Sequence, residues 1–271
     1  ASYQYHCVIS ATGDGCGTIT SNTVTVVVAA DPNITGQPST PGDICQGGTT
    51  ANMVVTATGG TPSLTYQWQY DTDPTAGVTW ANVSNGTPAG STYTGATAST
   101  FSVSGISVAG SYNYQCVVSA TGNDCATVTS NTVVVLVDAA VTADAGPNQS
   151  LYEMTSFTMA GNTPTLGTGA WTKEAGSTAI ITTTSSPTTT ITSTVPGSYT
   201  FRWTITNGAC SHYDEMDVDN TLQPTISITD DAEAEGTTLS FTVSLSHTSG
   251  QSVTVDYATS DGAAPSATTA D

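Results

Sequence analysis

Apolar side chains recur at every second position along several short segments: 51–58 (ANMVVTAT), 64–70 (LTYQWQY), 101–103 and 112–119. Successive side chains of an extended chain point to opposite faces, so this alternation predicts half-buried β-strands. Gly, Pro, Asn and Asp gather between the segments, which is the chemistry of turns. The longest apolar runs, 24–30 and 133–137, are strand-sized, far short of the roughly 18 residues that a membrane helix needs.

The pattern also repeats. Residues 2–28 (SYQYHCVISATGDGCGTITSNTVTVVV) return as 111–137 (SYNYQCVVSATGNDCATVTSNTVVVLV), about two-thirds identical and 109 positions later. That offset is the length of one β-sandwich domain. The first copy therefore reads as the tail of a domain and the second as the end of a complete one. With no leader visible at Ala1 and a pattern that opens and stops in mid-course, the sequence is expected to be an excerpt of a longer polypeptide.

Composition narrows the partners. Against 21 acidic residues stand two fixed cations, Lys173 and Arg202, for a net charge of −19. No basic patch is available to neutralise phosphates or to lie on an anionic bilayer, so neither nucleic acid nor membrane insertion is expected. Thr, Ser, Gly, Val and Ala fill most of the remainder, a palette suited to exposed β-structure.

Trp68, then Phe101, Val103, Ile106, Tyr114 and Cys116, carry the spacing of the immunoglobulin core, with Tyr114 in the tyrosine-corner position two residues before Cys116. The order ICQGG (44–48), YQWQ, VTWANVS, YTGATASTFSV, YNYQCVVSATG and TVTSNTVVV resembles the immunoglobulin-like repeats of giant surface proteins from Bacteroidota, including gliding-motility adhesins and other cargo of the type IX secretion system. Val55 departs from the immunoglobulin pattern by standing where the second-strand cysteine belongs. The pieces ADAGPNQS, TMAGNTPTLGTGAWT and VPGSYTFRWTITNGAC resemble PKD-like repeats, with Tyr152 where those repeats usually carry a cysteine. From Gln223, PTISITDDAEAEGTTLSFTVSLS and SVTVDYATSDGAA resemble the opening half of a Calx-β domain.

The resemblance implies an all-β chain of tandem immunoglobulin-like β-sandwiches arranged end to end. Its expected divisions are 1–30 (end of one domain), 31–139 (a complete immunoglobulin-like domain), 140–222 (PKD-like) and 223–271 (start of a Calx-β-like domain).

Six cysteines without zinc spacing point to an oxidising, extracellular setting. Cys7 with Cys16, and Cys116 with Cys125, flank a short turn and are expected to bridge locally. In a pair of stacked sandwiches, Cys45 lies at the end where the chain leaves the first and Cys210 at the end where it enters the second. An inter-domain Cys45–Cys210 disulfide that stiffens the linker is therefore one expectation; the other is that Cys45 pairs within its own domain and Cys210 stays a buried thiol.

No nucleophile elbow, zinc-protease motif, P-loop or dinucleotide fingerprint occurs, and no enzyme is expected. His6, His212 and His247 read as exposed or structural. The sequons at Asn33, Asn82, Asn85 and Asn148 read as turns. Trp68 is expected in the core, as are Trp80, Trp171 and Trp203, unless these present a face to a sugar. Acidic residues that gather at the ends of the Calx-β-like strands, Asp230, Glu235, Asp261 and Asp271, are the candidate calcium ligands, and the likeness matches Glu235 and Asp261 to the family's calcium site; the alternative is acidic turns kept for solubility. The function expected is a stalk or filament segment of a bacterial cell-surface adhesin, whose partners are neighbouring domains of the same chain, other copies, or a surface or glycan ligand. The rival is a carbohydrate-binding spacer of a secreted polysaccharide-active enzyme.

Overall fold

The computed structural model describes residues 1–15, 17–60, 62–72, 77–121, 126–176, 178–229, 231, 237–238, 240–249 and 252–258. They contain strands and no helix, and they build tandem β-sandwiches.

The first sandwich sets a sheet ordered Trp80–Asn82, Leu64–Asp71, Gly110–Ala120, Val133–Asp138 and Ile44–Cys45 against a layer of Thr92–Thr94, Thr100–Ser104 and Met53–Val54. The alternation of the sequence becomes burial: along Val133–Asp138, Val133, Val135 and Val137 are buried while Val134 and Leu136 face out. The 51–58 alternation is one continuous inward face that changes partners. Met53–Val54 pairs with Thr100 and Phe101, Thr56–Thr58 pairs with Asn33–Gly36, and between them the Val55 N–H donates to Ser99 O (2.9 Å).

Trp68 is fully buried, stacks on Phe101 at 4.5 Å and donates its Nε1 proton to Ala98 O (3.0 Å). Val55 and Cys116 fill the same core. Burying a side chain of Trp68's size withdraws enough apolar area to contribute about 2–3 kcal/mol.

The tyrosine corner is Tyr112, not Tyr114. Tyr112 Oη donates to Val108 O four residues back (2.9 Å), whereas Tyr114 points into the core and meets only the Tyr93 hydroxyl (3.3 Å). The second sandwich repeats the device, with Tyr199 Oη donating to Val195 O (2.7 Å). Both tyrosines close a Gly-Ser-Tyr triplet, 110–112 and 197–199.

That second sandwich orders Gln149–Tyr152, Cys210–Thr221, Gly197–Asn207 and Thr168–Ala175 in one sheet and Ser156–Thr158, Thr190–Thr192 and Ile180–Ile181 in the other. Its core holds Trp171 and Trp203, ring centroids 5.1 Å apart, with Phe157, Phe201, Ile191 and Met216.

The described strands of the first copy pair as those of the second do, Ser2–Tyr5 with Val24–Val27 and Val8–Ile9 with Ile19–Thr20, down to a side-chain detail: Ser21 Oγ accepts from Cys7 N (2.8 Å) as Ser130 Oγ does from Cys116 N (2.9 Å). In the first copy Tyr5, Val24, Val26 and Val28 are exposed, where their counterparts Tyr114, Val133, Val135 and Val137 are core.

Candidate functional site

Among the described residues, several elements converge with directed chemistry at the junction of the two sandwiches. Ile44–Cys45 runs parallel to Val137–Asp138, which brings Cys45 level with the end of the first domain's last strand. In the second sandwich Asn207 pairs with Cys210 across the two-residue turn Gly208-Ala209, which puts Cys210 at the start of its final strand. The sulfurs of Cys45 and Cys210 are bonded (S–S 1.92 Å, Cα–Cα 4.7 Å, 165 residues apart in sequence).

The linker backbone is held from both sides. Gln46 bridges it to the first sandwich, its Nε2 donating to Ser107 O (2.7 Å) and its Oε1 accepting from Ala140 N (2.7 Å). Asn207 Nδ2 donates to Ala139 O (2.9 Å), and Asp138 Oδ2 accepts from Ala209 N (2.6 Å). Gly208 sits at φ +54° against the Asp138 carboxylate, so a side chain there would collide with it. Further on, Ala143 N donates to His212 Nδ1 (3.0 Å) and Ala145 N to Asp214 Oδ2 (2.8 Å), so residues 138–145 are pinned to the strand that carries Cys210. These bonds are exposed or part-buried, so each contributes about 0.5–1.5 kcal/mol, and it is their number on both flanks that holds the linker in one geometry.

The structure brings together Cys45 and Cys210 and leaves Cys7 and Cys116 as free thiols. The expected local bridges are therefore corrected; Cys16 and Cys125 themselves lie outside the described residues. For Cys116 the reason is orientation: it faces the core beside Trp68, its cross-strand partner. Burial pushes its thiol pKa up to about 11. The calcium candidates Asp230, Glu235, Asp261 and Asp271 all lie outside the described residues, and among the described residues no cluster of three or more His, Cys, Asp or Glu could hold a metal.

His6 is exposed. His247 Nδ1 meets Ser246 Oγ at 3.0 Å, but its Nε2 lies 2.7 Å from the carbonyl of Leu222, where a catalytic triad would have a carboxylate. Trp171 and Trp203 are buried with Trp68, and Trp80 is half-buried. Asn85 Oδ1 caps Tyr93 N and Asn148 Oδ1 caps Asp217 N, both at 2.9 Å.

On the outer face of the second sandwich, Ser198 pairs with Asp219, Thr200 with Asp217, and Arg202 with Glu215. The Glu215 hydrogen bonds hold the Arg202 guanidinium more firmly in its charged form, and that group also lies 4.2 Å over the Tyr213 ring. Much of the chain's acidity on this sheet is thus matched strand to strand.

Gln46, Asp138, Asn207 and Gly208 escaped sequence reasoning. One signal was present, since Asn-Gly at 207–208 marks a tight hairpin and so places Cys210 beside its turn.

No family model and no curated protein matches the chain. Among solved structures it is similar to extracellular domains 3–5 of Drosophila OTK (17% identity, TM-score 0.42, covering 81% of this chain and 70% of that one). It is also similar to immunoglobulin domains 1–5 of Sidekick-1 (13%, TM-score 0.39, 84% and 48%). A third likeness is to the PKD domain of the KIAA 1837 protein (20%, TM-score 0.28, 34% and 92%). The match spans about half of the Sidekick-1 structure. At these scores the likenesses carry no functional weight, and the fold class rests on the sheets and cores themselves.

Proposed function

We propose that this chain is a structural segment of an extracellular adhesion-type protein, in which stacked sandwiches hold other modules away from a bacterial cell surface or assemble into a surface appendage. The observation that carries this reading is the junction: successive sandwiches are joined by a disulfide and by a linker hydrogen-bonded on both flanks. Such a joint fixes the direction of the rod, which a spacer requires and a flexible tether lacks. A disulfide between domains also belongs to an oxidising compartment. Burial of Trp68, Trp171 and Trp203 supports the spacer over a glycan-binding platform, since these large rings are spent on cores. The net charge of −19 repels neighbouring copies except where specific contacts intervene. The acidic residues 230, 235, 261 and 271 remain the proposed calcium ligands.

The test is a length replacement in the parent protein on cells. Deleting residues 31–222 should weaken attachment, and substituting an unrelated pair of rigid sandwiches of equal length should restore it. Failure of the replacement, with the parent still displayed at the surface, would refute the spacer reading.

A further inference from the structure

The disulfide joins two strands whose directions give it a mechanical consequence. In the first sandwich the chain starts at the far end, where Ala30 O accepts from Gly60 N (2.8 Å) and Asp31 Oδ1 from Ala126 N (3.0 Å), and it reaches the junction at Cys45. In the second, Cys210–Thr221 runs from the junction to the far end, where Thr221 pairs with Tyr152. Laid end to end, the segment from Asp31 to Cys45 and the strand Cys210–Thr221 traverse both sandwiches in one direction, and the S–S bond is the only break in their backbone. The rest of both domains, everything between Cys45 and Cys210, hangs from this line as a closed loop.

We infer that the Cys45–Cys210 disulfide is a tension shunt: a pull along the rod passes down the opening segment of one sandwich, Asp31 to Cys45, through the sulfurs, and along the last strand of the next, so that neither core bears the load. The strand portions of this line, Asn33–Gly36, Ile44–Cys45 and Cys210–Thr221, are already extended at about 3.3 Å per residue, near the limit of the chain, so what slack the line has lies chiefly in residues 37–43. Its anchorage resists peeling. Cys210–Thr221 is held in register against Gly197–Asn207 over its length and against Gln149–Tyr152 on its other edge, so a pull along the strand strains those hydrogen bonds together rather than singly. Peeling the first strand from its sheet still leaves the chain tethered at Cys45. The inference concerns the covalent path through the molecule and goes beyond the stalk reading; its test uses the isolated chain, so either can fail without the other.

The experiment stretches the full 271-residue chain between handles at its two ends, first oxidised and then after reduction in denaturant and refolding, with thiol alkylation and mass spectrometry verifying the state of Cys45 and Cys210. The 165 residue steps closed by the disulfide correspond to roughly 540–590 Å of extended chain. The oxidised molecule should never release that length, and reduction should raise its total contour length about 2.5-fold. The paired variant Cys45→Ser with Cys210→Ser should match the reduced chain; if it does not fold, the reduced native protein still decides. Release of sandwich-sized lengths from the verified oxidised chain, or equal contour lengths in the two states, would overturn the inference.

Discussion

Asn220 offers the sharpest test of the second sandwich, because a change of one atom should make its stability depend on pH. The side chain is 1% exposed. Its Oδ1 accepts from Met154 N (3.0 Å), while its Nδ2 donates to Met154 O (2.8 Å) and to Val195 O (3.3 Å), tying together two loops at the far end of the sandwich. In Asn220→Asp the shape is kept; the protonated carboxyl retains one O–H donor and loses one of the two donated bonds, at about 1 kcal/mol, while the ionised carboxyl loses both and sets an oxygen against two carbonyl oxygens. Ionising the buried carboxyl adds several more, limited by its option of taking up a proton. Burial and the facing carbonyls raise the carboxyl pKa in the folded state above the unfolded value near 3.9. The folded state then holds the proton more tightly, so stability must fall as pH rises above about 4. Relative to the native chain at the same pH, we expect a loss of about 1 kcal/mol at pH 4 and about 4–5 kcal/mol at pH 7. Urea unfolding of the oxidised protein, followed by tryptophan emission, measures both. Equal losses at the two pH values, or a loss under about 1 kcal/mol at pH 7, would refute the assigned hydrogen bonds.

Three other outcomes are expected. Cys116, with its thiol pKa near 11, should be about 0.1% thiolate at pH 8 and resist iodoacetamide until the protein unfolds; peptide mapping after native labelling checks this. Removing corner hydroxyls should follow a fixed order in thermal unfolding: Tyr199→Phe costs most because that hydroxyl both donates to Val195 O and accepts from Val195 N, Tyr112→Phe costs about 1 kcal/mol, and Tyr114→Phe costs least. Gly208→Ala should destabilise more than Gly86→Ala, since both glycines have positive φ but only Gly208 abuts a side chain, Asp138; denaturant midpoints of the two variants decide it.

The sequence alone determined the class of fold and most of each core. Period-two alternation is a property of the extended backbone itself, so segments such as 112–119 and 133–137 announce both their strands and their buried faces, and a 27-residue repeat announces a second copy of a hairpin. What depends on long-range placement was not legible in that way. Tyr112 and Tyr114 are equivalent by spacing; only the approach of Val108 O to one hydroxyl and of Tyr93 to the other separates their roles. Cys116 lies nine positions from Cys125 in sequence, yet its strand turns it into the core. The Cys45–Cys210 bond could be conceived from domain order, but its realisation rests also on Asp138 and Gln46, two residues without a distinctive local pattern. Their contacts span 61 to 94 positions for Gln46 and 71 for Asp138. Local pattern specifies which face is buried; which two ends meet is decided by the register of strands brought together across whole domains.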